Sequence, residues 1–97
     1  MTEPFADRLM RRIRELGHPL CAGVDPHLDR IPPLFRRGSM EPGAKETADA
    51  VGEFCLAFLD RVAQKVPCIK PQSAFFEQLG WRGVEVLDRV VRGARER

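Results

Sequence analysis

Two charged residues, each followed by proline, stand at the ends of short apolar runs. Asp25-Pro26 follows Pro19-Leu20-Cys21-Ala22-Gly23-Val24, and Lys70-Pro71 follows Pro67-Cys68-Ile69. If the two runs are neighbouring parallel strands, they lie about 4.8 Å apart with their carboxyl ends at one edge. That edge is where α/β enzymes place their chemistry. A carboxylate and an ammonium there would share one polar cleft, suited to a small hydroxylated or anionic ligand. The spacing is equally compatible with a salt bridge that closes the strand ends. Proline after each charge adds weight to the ligand site, because it turns the chain sharply and leaves the side chain at a loop mouth.

Other chemically capable residues have stronger structural readings. His27 follows Asp25 and is expected to fix the turn, and His18 lies at the far end of the first strand. Ser73 is expected to cap a short helix, with Gln72 beside it. Phe75, Phe76 and Trp81 are expected to pack. The three cysteines, Cys21, Cys55 and Cys68, have no CxxC spacing and are expected to be small buried hydrophobes in a reducing compartment. The sequence contains no Gly-rich phosphate loop, metal-ligand cluster or Ser/His/Asp arrangement.

Helices must position these strand ends. Phe5, Leu9, Ile13 and Leu16 recur at helical spacing, predicting a leading helix over Pro4–Leu16 with Thr2 as a cap and Gly17 at its end. The first strand is predicted over Leu20–Val24, its small and apolar residues suiting cover on both faces. Pro26 to Gly43 is a proline- and glycine-rich loop, long enough to suggest function or mobility. Ala48, Val51, Cys55, Phe58, Leu59, Val62 and Val66 mark a long helix over Ala44–Lys65, with Glu46, Asp49, Glu53, Asp60 and Arg61 on its other face. Cys68–Lys70 is the second strand. A short helix carries Phe75, Phe76 and Leu79, Gly80 stops it, and a last helix runs from Trp81 to about Glu96 with Val84, Leu87, Val91 and Ala94 on one face.

Composition narrows the function classes. A chain of 97 residues is at most one small domain. A net charge of +2 gives no case for nucleic acid or an anionic membrane surface. No apolar run is long enough to span a bilayer, and the N-terminus lacks a signal-peptide core, so the cytoplasm is the expected location.

The two strand regions resemble a known family. Leu20-Cys21-Ala22-Gly23-Val24-Asp25-Pro26-His27-Leu28-Asp29 looks like the first strand of orotidine 5′-phosphate decarboxylases of the longer bacterial subfamily. Val66-Pro67-Cys68-Ile69-Lys70-Pro71-Gln72-Ser73-Ala74-Phe75-Phe76-Glu77-Gln78-Leu79-Gly80 looks like that subfamily's second strand and following turn, and is the stronger match. The resemblance implies an α/β fold: the N-terminal βαβα portion of a (β/α)8 TIM barrel with a leading helix. Residues 1–97 would then be a partial barrel domain, about its first two strands and their helices.

The resemblance also implies the chemistry. The family converts orotidine 5′-phosphate to UMP and carbon dioxide without a cofactor, usually as a homodimer. By resemblance Lys70 is the first lysine of the family's Lys–Asp–Lys–Asp network. Asp25 is the aspartate that hydrogen-bonds a ribose hydroxyl. The remaining members lie in an Asp-x-Lys-x-x-Asp motif, which this sequence does not contain. The family's phosphate-binding loops are missing as well. The chain alone is therefore expected to be inactive, and Lys70 is not the proton donor. The alternatives are a non-catalytic binding or interaction module built from a barrel segment, and a piece of a different phosphosugar barrel enzyme.

Overall fold

The computed structural model describes residues 3–97. Thr2, expected as a helix cap, lies outside the described residues. The element order is α1 (Phe5–Leu16), β1 (Cys21–Val24), α2 (Lys45–Val62), β2 (Cys68–Pro71), α3 (Ser73–Glu77) and α4 (Trp81–Glu96). Short 3-10 turns at Leu28–Arg30 and Ala63–Lys65 complete it. The strands are parallel, with Cys21 opposite Cys68, Ala22 opposite Ile69, Gly23 opposite Lys70 and Val24 opposite Pro71. This is the βαβ crossover that the repeated strand-end pattern implies.

The two faces of this sheet differ. Ala22, Val24, Ile69 and Pro71 alternate onto the face that the helices cover, where Val24 is buried. Cys21, Gly23 and Lys70 on the opposite face are exposed, and Cys68 is half-buried. Cover on both faces, expected from the small apolar strand residues, is thus found on one. Leu20 also departs from expectation: it precedes the strand and is 63% exposed. Pro19 before it has no N–H to donate to a ladder, and the pairing begins at Cys21.

The core lies between α2, α4 and the covered sheet face. Val51, Cys55 and Leu59 of α2 are fully buried, as their helical spacing predicts, with Ala48 nearly so. Thr47, Ala50 and Gly52 are buried as well, so α2 is enclosed over a wider arc than its most apolar stripe. In α4 the buried stripe is Gly83, Val86, Val90 and Gly93 rather than Val84, Leu87, Val91 and Ala94. The glycines decide this. A Cβ on Gly83 would sit 1.8 Å from the Phe76 carbonyl oxygen and 2.6 Å from Leu79 Cβ. The backbones of α3 and α4 therefore meet at a contact that no side chain fits. The apolar stripe beside it is left partly open, with Val84 51% exposed.

Trp81, expected to pack, is 65% exposed, with the Arg82 guanidinium 4.5 Å from its ring centroid. The Pro26–Gly43 loop is ordered against the core by Ile31 and Met40, both buried. Arg37 closes it onto α2 through an ion pair with Glu53.

α1 buries none of its residues fully; Leu9, Ile13 and Leu16 are half-buried and Phe5 is exposed. Gly17 ends it in the left-handed region, φ 79°, donating its N–H to the Ile13 carbonyl at 2.8 Å. Polar contacts tie this end to the end of α2. Arg12 donates to the Gln64 carbonyl at 3.2 Å. The His18 ring accepts the Leu20 N–H at Nδ1 and so donates from Nε2 to the Lys65 carbonyl at 2.9 Å. His18 therefore has the structural role expected of it.

Candidate functional site

Asp25 is the first residue beyond β1, and Lys70 is the next-to-last residue of β2. Both lie at the carboxyl end of the parallel pair. Lys70 is the register partner of Gly23, and partners in a parallel ladder project to one face. Asp25, two residues beyond Gly23, returns to that face. Its Oδ2 lies 3.0 Å from where a Cβ on Gly23 would be. The carboxylate therefore folds back over the glycine that faces Lys70. Along the strand rise and across the strand gap, the two Cα atoms form a diagonal pair roughly 8 Å apart.

Among the described residues, neither Asp25 nor Lys70 is in an ion pair. The closed salt bridge, equally compatible with the sequence, is not formed. Both side chains are exposed on the face that no helix covers. A carboxylate and an ammonium held apart on one open surface can accept from a hydroxyl and donate to an anionic group at the same time.

The turns that carry these residues are fixed by packing. Pro26 is fully buried, which anchors the chain directly after Asp25. His27 donates its N–H to the Asp25 carbonyl at 2.9 Å, and its ring meets Phe75 edge-on at 4.4 Å between centroids. Gln72 donates its N–H to the Val24 carbonyl at 3.3 Å, extending the strand pairing beyond Pro71. Phe76 is fully buried beneath this turn. His27 thus fixes a turn, as expected, and does so by joining the loop after Asp25 to the helix after Lys70. Ser73 is not a cap: it is the first residue of α3, Gln72 occupies the cap position, and no side-chain cap bond is formed.

A hollow of about 350 Å³ adjoins Asp25 and includes Gly23, His27, Arg30, Phe54 and Phe58 in its lining. Lys70 does not line it. A larger hollow, about 460 Å³, lies between α1, α4 and β2, and neither Asp25 nor Lys70 reaches it. Its lining combines Phe5, Leu9, Val66 and Val91 with the arginines of α1 and the end of α4. The larger volume marks incomplete packing of α1, whereas the strand-end chemistry lies at the smaller one.

The cysteines depart from expectation. Cys55 alone is buried, and desolvation pushes its thiol up to about 12. Cys21 is exposed and Cys68 half-buried on the open sheet face. Sequence reasoning placed them in strands but took both strand faces as covered. No group of three or more potential metal ligands occurs among the described residues. No helix among them is long and apolar enough to cross a membrane.

No family model matches the chain. Individual relatives do. Orotidine 5′-phosphate decarboxylase of Rhodopirellula baltica is 40% identical over 92 residues, covering 95% of this chain and 30% of that protein. The enzyme of the same name from Salinispora arenicola is 45% identical over 96 residues, covering 96% of this chain and 30% of the relative. A crystal structure of a Streptomyces avermitilis protein assigned as an orotidine 5′-phosphate decarboxylase superposes with a TM-score of 0.76 at 36% identity. That match covers 98% of this chain and 30% of the other. The chain thus spans about three-tenths of the length of its relatives. Over nearly all of its own residues, the chain is similar to the matching three-tenths of these orotidine 5′-phosphate decarboxylases.

Proposed function

We propose that this chain supplies the first two strands of an orotidine 5′-phosphate decarboxylase barrel, with Asp25 and Lys70 as its contribution to the site. The observation that carries this reading is the placement of both side chains on one open sheet face, unpaired, at the carboxyl ends of parallel strands. In a (β/α)8 barrel that face is the packed interior and that end holds the active site. Asp25 accepts a hydrogen bond from a ribose hydroxyl of orotidine 5′-phosphate. Lys70 is the first lysine of the charged network around the pyrimidine.

Loss of carbon dioxide leaves an electron pair at C6 of the ring. A fixed ammonium nearby stabilises that charge as it develops, without solvent reorganisation. Lys70 holds the network's charge pattern, and the proton reaches C6 from the lysine of the Asp-x-Lys-x-x-Asp motif, which lies outside this sequence. Binding energy from the remote phosphate is used at the reacting centre, and those contacts also lie outside the sequence. In this reading the reaction uses no cofactor, and the working enzyme is a cytoplasmic homodimer.

The test is a chimera in which this chain replaces the matching segment of the Salinispora arenicola relative. The chimera is expected to release carbon dioxide from orotidine 5′-phosphate. Lys70→Ala within it is expected to lower kcat by about 100-fold or more. Asp25→Ala is expected to act mainly through kcat/KM. A folded chimera without turnover, or full activity in both variants, overturns the reading.

A further inference from the structure

The strand ladder holds Lys70 but stops short of Asp25. Lys70 lies inside β2, whereas Asp25 lies past the end of β1. The last register pair is Val24 with Pro71, and beyond it the Gln72 N–H donates to the Val24 carbonyl at 3.3 Å. Pro26, directly after Asp25, has no N–H to offer a neighbour. The backbone of His27 is engaged on both sides. Its N–H donates to the Asp25 carbonyl at 2.9 Å, and its carbonyl accepts the Arg30 N–H at 2.9 Å. Both bonds shape the turn locally, and neither reaches the β2 side. The His27 ring does reach it, meeting Phe75 at 4.4 Å between centroids and an interplanar angle of 64°. Edge-on contact is a favoured aromatic arrangement, and this separation is at its close limit. Phe75 is itself held: its N–H donates to the Gln72 carbonyl at 3.2 Å, and its side chain packs against the buried core. Both rings are half-buried and sit in the turns that follow the two strands. The contact therefore lies within this chain and requires neither ring to be open to solvent.

We propose that His27 is a positioning residue for decarboxylation: its ring, seated on Phe75, sets where Asp25 stands relative to Lys70. This rests on the assignment of Asp25 to a ribose hydroxyl and of Lys70 to the charged network. The substrate spans those two contacts with its own ribose and pyrimidine, so their separation has to match one small molecule. A displacement of about 1 Å in a positioned group can cost roughly 100-fold in rate. The ring contact works through shape, so a phenyl ring at residue 27 can replace imidazole, whereas a side-chain amide cannot. An imidazole that bound substrate through a ring nitrogen would show the reverse preference.

The experiment uses the chimera with the Salinispora arenicola relative and measures kcat and KM for orotidine 5′-phosphate at a temperature where every variant is folded by thermal melt. His27→Ala is expected to lower kcat/KM by about 10-fold, with the same split between kcat and KM as Asp25→Ala. Phe75→Leu, which keeps apolar volume but removes the ring, is expected to act in the same direction. His27→Phe is expected to restore kcat/KM to within about threefold of the parent, and His27→Gln to resemble His27→Ala. If His27→Ala melts too low to assay, His27→Gln carries the comparison. Because His27 acts through Asp25, adding the His27 change to Asp25→Ala is expected to cost less than about twofold more. A merely structural loss would lower Tm and multiply in full with Asp25→Ala. Full activity in His27→Ala or His27→Gln, loss of activity in His27→Phe, or full multiplication of the His27 and Asp25 effects would each overturn the proposal and leave the decarboxylase reading standing. A folded parent chimera without turnover overturns that reading, and the role of His27 with it.

Discussion

Gly23 faces Lys70 across the parallel ladder, and the Asp25 carboxylate lies over that glycine, 3.0 Å from the position a Cβ would take. The absence of a side chain at residue 23 is what lets the carboxylate return to the open face. Gly23→Ala is therefore expected to move Asp25 more than it disturbs the fold, since the group that must give is the end of a flexible side chain. In the chimera with the Salinispora arenicola relative, the variant is expected to raise KM for orotidine 5′-phosphate several-fold. Tm should change by no more than a surface substitution would cause. Steady-state kinetics beside thermal melts checks this. An unchanged KM would mean that Asp25 does not need its present position.

Gly83→Ala is expected to behave in the opposite way. An alanine is a better helix former than glycine by up to about 1 kcal/mol. Here its Cβ would meet backbone, the Phe76 carbonyl oxygen at 1.8 Å, so the α3–α4 contact must open. Overpacking of this kind costs about 1–3 kcal/mol, which exceeds the propensity gain. The opening would also loosen Phe76, which is fully buried beneath the turn after Lys70. Chemical denaturation of wild type and variant measures the difference, and a stabilised Gly83→Ala protein would refute the close contact.

These two glycines show where the sequence was legible and where it was not. The strands, the crossover and the shared edge of Asp25 and Lys70 follow from apolar runs that end in charge-proline pairs, a local pattern. The long helix follows from Val51, Cys55 and Leu59 at helical spacing, and all three are fully buried. The buried side of α4 does not follow in this way. Hydrophobicity favours Val84, Leu87, Val91 and Ala94, yet the backbone approach at Gly83 turns the helix toward its neighbouring stripe. A glycine carries no hydrophobic signal, so a contact made by its smallness is invisible to periodicity. The open sheet face is hidden for a related reason. Small residues such as Cys21 and Gly23 suit a covered face, but what covers them lies elsewhere in space and leaves no mark on the strand itself.

Thr47 offers a test of burial without compensation. It is fully buried in the first turn of α2, and its Oγ1 has no hydrogen-bond partner among the described residues. Leaving a hydroxyl buried and unpaired costs about 1–3 kcal/mol. Thr47→Val keeps the branched shape and replaces the hydroxyl with a methyl. The variant is expected to gain about 1 kcal/mol in denaturant unfolding. A loss of similar size would mean that the hydroxyl finds a partner in solution.

Cys55 gives a pH dependence with a definite sign. Its thiol is fully buried on α2, and desolvation raises its pKa in the folded protein from 9.0 to about 12. An unfolded chain exposes the same thiol at its ordinary value, so between these pH values the unfolded state loses the proton and the folded state keeps it. The group therefore makes no demand below about pH 8. As the pH rises above the unfolded value, its contribution to stability falls with a slope approaching 1.4 kcal/mol per pH unit. The fall levels off once the pH passes the folded value, provided the fold survives to that point. Cys55→Ala removes the titration and leaves a cavity, so it is expected to be less stable at neutral pH but flatter above pH 9. Urea unfolding of both proteins across that range, monitored by circular dichroism, reads the two slopes directly. Parallel slopes would place the alkaline loss in other groups. Rapid alkylation of Cys55 in the folded protein at neutral pH would show that the thiol is not buried.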